Sequence, residues 1–449
     1  MFKKILIANR GEIALRVIRA CREMGIRTVA VYSQADASAV HVRFADEAVC
    51  IGPASATESY LNQPSVLAAA EVTGADAVHP GYGFLAENAQ FAQAVRAMGL
   101  AFIGPSAEHL HTFGDKLSAK EAAKAANIPM LEGSGGAIQS VEEALEAANL
   151  AGYPIMLKAA AGGGGKGMRV VESAEQLERV FTVAQAESQA AFGSKDVFLE
   201  RYLRRPRHVE VQVAGDGEHG GGIHLGTRDC SLQRRHQKII EEAPAPFLSD
   251  KLRNDIQDAG ARLVRSVGYQ TVATVEFLVE EDEFFFLEVN PRIQVEHPVT
   301  EEITGIDLIQ LQIRLAAGEP LPLTQAEVKQ QGHAIEIRVN AENPDNFLPS
   351  PGRVTGYHEP GGPGVRVDSA IHEHAMVQPY YDSLAAKLIV RGNDREHAIR
   401  RTLGAMEEFI VEGIKTTLPV QAELLQTEEF RTGTMYTRFI DGWLKDRKR

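Results

Sequence analysis

Lys4-Ile5-Leu6-Ile7-Ala8-Asn9-Arg10-Gly11-Glu12-Ile13-Ala14 passes from an apolar run, through a polar turn, into residues with helical spacing. The run reads as a buried strand. From Glu12 to Met24, Ile13, Val17 and Ala20 or Cys21 share one side of a helix, and Gly25 ends it. Thr28-Val29-Ala30-Val31-Tyr32 is the next strand. Ala77-Val78-His79, the turn Pro80-Gly81-Tyr82-Gly83 and a helix from about Leu85 repeat the theme. Ala101-Phe102-Ile103-Gly104-Pro105 closes the unit. Strands alternating with helices imply a parallel, doubly wound sheet. The first turn, Asn9-Arg10-Gly11-Glu12, is not a dinucleotide fingerprint, so NAD is not inferred.

The chain has 449 residues, more than one hydrophobic core supports, so two or three subdomains are expected. Apolar residues make up 44% and charged residues 24%, as in ordinary globular proteins. The net charge of -13 argues against nucleic acid or an anionic membrane as main partner, though not against a nucleotide. No apolar run is long enough to span a bilayer. Cys21, Cys50 and Cys230 have no metal-like spacing, and so sparse a set suits a reducing cytoplasm.

Beyond Asp115-Lys116, helices around 117–126 and 141–151 lead to the strand Pro154-Ile155-Met156-Leu157-Lys158. The loop Gly162-Gly163-Gly164-Gly165-Lys166-Gly167 follows, then the strand Met168-Arg169-Val170-Val171. Glycines let backbone amides approach phosphate oxygens closely, and Lys166 adds a positive charge. This is not a P-loop: Gly167 stands where Ser or Thr would hold the metal, and the loop joins two strands. It suits a lid closing over a triphosphate, although a plain flexible turn has the same composition. From about residue 204 the chain becomes strand-rich, and from about 334 to 390 short strands and Gly/Pro turns predict antiparallel sheet.

Thr274-Val275-Glu276-Phe277-Leu278 and Phe284-Phe285-Phe286-Leu287-Glu288-Val289-Asn290 read as two strands of a hairpin. If Asp282 centres the turn, Glu276 faces Glu288. Facing like charges destabilise a sheet unless a cation lies between them. Magnesium takes such carboxylates together with substrate phosphates, with Asn290 nearby. Glu288, Asn290, Arg292, Gln294 and Glu296 lie two apart, so an extended chain would put them on one face. A half-exposed strand shows the same alternation. The mixture of metal-type acids, an arginine and a further acid suggests a metal nucleotide beside a small anion.

Arg228-Asp229-Cys230-Ser231-Leu232-Gln233-Arg234-Arg235-His236-Gln237-Lys238 concentrates basic groups that suit phosphate or carboxylate, or else form an exposed patch. No role is assigned to Cys230. In Ala334-Ile335-Glu336-Ile337-Arg338-Val339, alternation places Glu336 and Arg338 on the polar side, where a cross-strand ion pair is the plain explanation.

These stretches together resemble the biotin carboxylases of the ATP-grasp ligases over nearly the whole chain. The motifs are Ile7–Ala14, His79–Leu85, Gly162–Met168, Arg228–Lys238 and Asn290–Thr300, in that order. Thr227 stands where many relatives have Glu, and the loop around 131–141 also differs. The resemblance implies an α/β protein in three parts. These are a doubly wound, Rossmann-like domain over 1–114 and an ATP-grasp domain over 115–330 with its lid at about 131–203. A mainly antiparallel β subdomain over 331–446 follows. It implies that Lys116, Lys158 and the loop residues Gly164, Gly165, Lys166 and Gly167 contact ATP. Glu200 and the Leu203 backbone would hold adenine, with His208 near the ribose and Gln233 and His236 near the phosphates. Glu276, Glu288 and Asn290 would bind magnesium or manganese. Lys238, Arg292, Gln294, the Val295 backbone and Glu296 match the bicarbonate site, and Tyr82, Arg292 and Arg338 the biotin site.

The implied chemistry phosphorylates bicarbonate to carboxyphosphate, with Glu296 as base and Lys238 and Arg292 holding the anion. Arg338 would stabilise the enolate of biotin. No Ala-Met-Lys-Met or Val-Met-Lys-Met biotin-attachment segment occurs, and no carboxyltransferase region follows residue 449. The expected partners are therefore a separate biotin carboxyl carrier protein and carboxyltransferase subunits, in a homodimer of the cytoplasm. Acetyl-CoA carboxylase is the expected complex, with pyruvate or other acyl-CoA carboxylases as alternatives. Two competing readings are another ATP-grasp ligase joining a carboxylate to an amine, and a nucleotide sensor without turnover.

Overall fold

The protein is represented by a computed structural model that describes residues 1–159, 168–192, 195–235 and 237–447. Strands Lys4–Ile7, Arg27–Ser33, Glu47–Gly52, Ala77–His79 and Ala101–Phe102 form a parallel sheet with Lys4–Ile7 at its centre. Ile5 and Ile7 enter one core, and Leu6 and Ala8 the core on the opposite face. A strand buried on both faces reads as a continuous apolar run because helices cover each side. The helix expected from about Leu85 begins at Ala89 instead. Asn88 caps it, accepting from the Phe91 N–H at 2.8 Å. Phe84 has φ +40°, which no helix tolerates, so Phe84–Glu87 stays a turn and leaves Glu87 on a loop.

A second, eight-stranded antiparallel sheet forms the body of the molecule. Its order is Glu283–Asn290, Gln270–Glu280, Arg207–Asp216, Gly222–Arg234, Gln237–Ala243, His333–Asn340, Leu384–Gly392, Val365–Ser369. The C-terminal strands are antiparallel, and three of them extend this same sheet. Ile240 pairs with Ile337, so Gln237–Ala243 does not end as an open edge. A smaller sheet of Met168–Val171, Ile155–Ala159 and Val197–Arg201 packs on helices Val141–Ala151 and Ala174–Phe192 around its own core. Its glycine loop lies outside the described residues. No helix among the described residues is long and apolar enough to cross a membrane.

The hairpin differs from expectation in an instructive way. Its turn is Glu281-Asp282, closed by the pair Glu280 and Glu283, with Glu281 at φ +55°. That register alone would set Glu276 against Leu287. A β-bulge at Leu287 adds one residue, and Glu276 faces Glu288 after all. The extended run to Glu296 is also corrected. The strand ends at Asn290, and Glu296 is the N-cap residue of helix His297–Thr304. Pro291 lacks a donor for another rung, so the chain leaves the sheet there.

Glu242 fastens the C-terminal helix Arg395–Glu408 to the sheet. Its carboxylate accepts from Arg395 Nε at 2.7 Å and Nη2 at 3.0 Å, and lies 2.8 Å from His333 Nε2. Burial opposes ionisation, but His333 and Arg395 outweigh it and bring its pKa down to about 2. A depressed carboxylate stabilises the fold above its unfolded pKa and loses that contribution as pH falls. We expect Glu242→Gln to lower neutral-pH stability by on the order of 3 kcal/mol. In urea titrations the gap to wild type should narrow between about pH 4.5, the ordinary carboxylate value, and about 2, the native one. A gap that stays constant with pH would exclude this ionic origin.

Candidate active site

The strand Arg207–Asp216 alternates His208, Glu210 and Gln212 with Val209, Val211 and Val213. The valines enter the core beneath the sheet, and the polar row faces a buried pocket of charge on the other side. Arg228, fully buried on the neighbouring strand, organises it. Its Nε donates to Glu210 at 2.5 Å, Nη1 to Gln212 at 2.7 Å and Thr300 at 2.9 Å, and Nη2 to Thr274 at 3.0 Å and Gln294 at 2.9 Å. Such a planar fork suits five acceptors in a dry site.

Lys238 sits at the centre. Its Nζ donates to Glu210 at 2.6 Å, Glu276 at 2.9 Å and Glu296 at 2.6 Å. Arg338 completes a chain, donating from Nη2 to Glu296 at 2.9 Å and from Nε to Glu241 at 2.6 Å. Burial disfavours the charged form of Glu296, yet Lys238, Arg338 and Arg228 together hold its pKa well below the usual carboxylate range. Burial likewise opposes charge on Lys238, but the carboxylates of Glu210, Glu276 and Glu296 push its pKa well above the ordinary value. Gln294 Nε2 and Asn290 Nδ2 donate to Glu276 at 2.8 and 2.9 Å. The Val295 carbonyl accepts from Lys387 Nζ at 2.8 Å, which fixes the loop carrying Glu296.

Glu276 and Glu288 face each other at one rung, Glu276 buried and Glu288 exposed to the open side. Partial burial and then the charge of Glu276 raise the pKa of Glu288, while His208, Lys238 and Lys116 oppose the rise. Two facing carboxylates, with no ion pair to Glu288 among the described residues and an amide oxygen at Asn290, fit a hard, oxygen-preferring divalent ion. A different trio, His208, Glu210 and Glu276, also has ligand atoms within 4.8 Å of one another. There Arg228 and Lys238 already neutralise the acids. His208 Nε2 lies 3.0 Å from Glu276 Oε2 as a charge contact. Burial disfavours its charged form, but Glu276 wins and raises its pKa. Gln233 Nε2 lies 3.3 Å from His208 Nδ1.

Not every expected residue joins this cluster. Arg292 turns to Glu87 through Nε and to Asn290 Oδ1 through Nη2 at 3.1 Å. Tyr82 donates its hydroxyl to Glu12. Glu200, on the small sheet, pairs with Lys158 and with Lys120 at 3.2 Å. The Leu203 carbonyl accepts from Arg438 at 3.1 Å. Lys116 opens the helix Lys116–Ala125, capped by Asp115. Gly164, Gly165, Lys166, Gly167 and His236 lie outside the described residues. Thr227 is buried, and its hydroxyl caps the Ala245 N–H at 3.1 Å, a local structural use. Cys230 is fully buried and burial pushes its thiol pKa well up, which makes it an unreactive core residue.

Sequence reading missed Glu210, Arg228 as an individual, Glu241, Lys387 and Glu12. For Glu210 a signal existed, since a polar row at period two on an otherwise valine strand marks a buried polar face.

Three family models match consecutive parts of the chain. "Biotin carboxylase, N-terminal domain" matches residues 1–110, "Carbamoyl-phosphate synthase L chain, ATP binding domain" 115–324 and "Biotin carboxylase C-terminal domain" 336–442. The biotin carboxylase of Haemophilus influenzae is 52% identical over 442 residues, covering 98% of both chains. A pyruvate carboxylase subunit of Methanothermobacter thermautotrophicus is 49% identical over 98% of this chain and 90% of its own. Among solved structures, the biotin carboxylase domain dimer of Hydrogenobacter thermophilus 2-oxoglutarate carboxylase, in complex with MgADP, ADP and bicarbonate, superposes with a TM-score of 0.86. It is 46% identical, and the match covers 98% of each chain.

Proposed function

The chain belongs to the biotin carboxylase family and is an ATP-dependent ligase, and from that premise we propose how its residues divide the work and which complex it serves. The observation that carries the reading is the pair of charge sites side by side. Lys238, Glu296 and Arg338 form a buried anion-handling chain, and the Glu276–Glu288 rung opens next to it.

Lys116, Lys158 and the glycine loop would contact ATP, Glu200 and the Leu203 backbone would hold its adenine, His208 would serve the ribose, and Gln233 and His236 the phosphates. Glu276, Glu288 and Asn290 would hold a magnesium or manganese ion, which when bound would neutralise phosphate charge. Bicarbonate takes donors from Lys238, Arg292, Gln294 and the Val295 backbone. Glu296 accepts its proton as the oxygen attacks the terminal phosphate, giving carboxyphosphate and ADP. With both oxygens paired to cations, Glu296 is a weak base. The incoming anion raises its basicity by drawing Lys238 and Arg338 toward itself. Carboxyphosphate releases CO2 and phosphate, the phosphate takes the ureido proton, and Arg338 with Tyr82 holds the biotin enolate. The Hydrogenobacter complex, a dimer with MgADP, ADP and bicarbonate, supports binding of nucleotide, metal and anion and a homodimer here.

Biotin arrives on a separate carrier protein, and the complex is an acetyl-CoA carboxylase of fatty acid synthesis in the cytoplasm. The relative from Methanothermobacter favours pyruvate carboxylase as the second reading. Purification with natural partners, followed by assay of acetyl-CoA and pyruvate carboxylation, separates the two. Carboxylation of pyruvate alone would reject the first. For the site itself, Arg338→Ala should cut biotin carboxylation about 10- to 100-fold more than biotin-independent ATP hydrolysis, as expected for a group acting on one intermediate. Equal losses in the two assays would reduce Arg338 to a structural part.

A further inference from the structure

Glu241 and Glu336 face each other directly on neighbouring antiparallel strands, and both are fully buried. Glu241 Oε1 accepts from Arg338 Nε, but its Oε2 and both oxygens of Glu336 have no hydrogen-bond partner among the described residues. Three acceptor oxygens without a donor, shut off from water at one rung, are costly if both groups are charged. The nearby cations are committed elsewhere. Around Glu241 stand Arg338, Glu296, Lys238 and Glu210, and around Glu336 stand Lys387, Arg338 and Glu296. Lys238 already serves three carboxylates, and Lys387 is paired with Glu12 at 3.2 Å and also faces Asp368. Tyr82 lies beyond, its hydroxyl engaged by Glu12.

We propose that Glu241 and Glu336 share a single proton and act as a positioning pair for Arg338. A proton between them satisfies two of the three orphaned oxygens and leaves one negative charge, on the side that binds Arg338 Nε. The guanidinium is then held at its edge, with Nη2 directed to Glu296 and to whatever anion replaces it. A second charge on the pair would draw the guanidinium back from the site. Burial first pushes both carboxyl pKa values up; Glu296 and Glu210 add to the rise at Glu241, and Glu241 and Glu296 at Glu336, against the cations that oppose it. The proton is therefore held on the acid side and lost as pH rises. This inference rests on the reading of Arg338 as the biotin-side arginine, but the proton itself can be tested without it.

The primary test is difference infrared spectroscopy of the whole protein across a pH titration. The wild type should show the carbonyl stretch of a buried protonated carboxylic acid at neutral pH. It should fade at alkaline pH and be missing in Glu336→Gln. A wild-type spectrum without that band, or a band that Glu336→Gln leaves intact, overturns the shared proton. The wild-type titration decides this even if the variant does not fold. The second readout is the pH profile of kcat/KM for free biotin. Glu336→Gln is neutral at every pH, so its alkaline limb should move up by at least about one pH unit, the range over which a titrating positioning group governs rate. The biotin-independent ATPase profile, which feels Arg338 only through Glu296, should move less than the biotin limb. A biotin limb that does not move while the infrared band disappears would refute the positioning role. Failure of the Arg338→Ala assay above would instead strike the reading on which it builds.

Discussion

Replacing Glu296 with alanine is expected to lower bicarbonate-dependent ATP hydrolysis by about 10²- to 10⁴-fold, the usual contribution of a positioned base. The loss should be chemical and not a failure to fold. Lys238 keeps Glu210 and Glu276, and Arg338 keeps Glu241, so neither cation is left buried alone. Glu296→Gln should lose as much, because it keeps the shape and the acceptor toward Lys238 but cannot take a proton. The depressed pKa of Glu296 means that it is ionised throughout the working range, so it does not set the acid limb of the wild-type profile. Steady-state rates with and without bicarbonate, at matched circular dichroism, check the result. Near-normal turnover in either variant would remove Glu296 from the base role.

The largest stability effect is expected at Arg228. Its guanidinium joins Glu210, Gln212, Thr274, Thr300 and Gln294, groups from two neighbouring strands, a loop and a helix, with no exposure to solvent. Arg228→Met fills similar space, so the cavity contribution is small, but it strands Glu210 with Lys238 as its remaining close cation. Breaking such a buried pair typically costs about 3–5 kcal/mol. Arg228→Lys should recover little of it, because one ammonium cannot reproduce the fork. Urea unfolding should show a lower midpoint at unchanged slope. A midpoint shift equivalent to less than about 1 kcal/mol, an ordinary surface-type change, would mean the network relaxes around the gap. Gln294 loses an anchor in both variants, so bicarbonate KM should rise as well.

The strand Lys4–Ile7 and the helix Gly11–Glu23 were legible because burial on both sheet faces and 3.6-residue spacing are written within a few neighbours. The hairpin of Glu276 and Glu288 was legible as two alternating strands. A turn centred on Asp282 leads to the right rung only because the bulge at Leu287 offsets the true turn by one residue. Nothing local announces such a bulge, which is flanked by the buried side chains of Phe285, Phe286 and Val289. The row from Glu288 to Glu296 has the period of a strand, yet Pro291 ends the ladder, and Arg292 and Glu296 go to different partners.

By itself, the order of residues determined the doubly wound first unit, the antiparallel character of the remainder and the family, through patterns that span at most a few turns or a few motifs. Only the tertiary structure decided that Glu210, Glu276 and Glu296 meet on one ammonium, and that Glu241 and Glu336 oppose each other without a donor. The reason is physical. Periodicity is a property of neighbouring residues, whereas a buried charge depends on which distant strands the sheet order brings together and on how far water is excluded from between them.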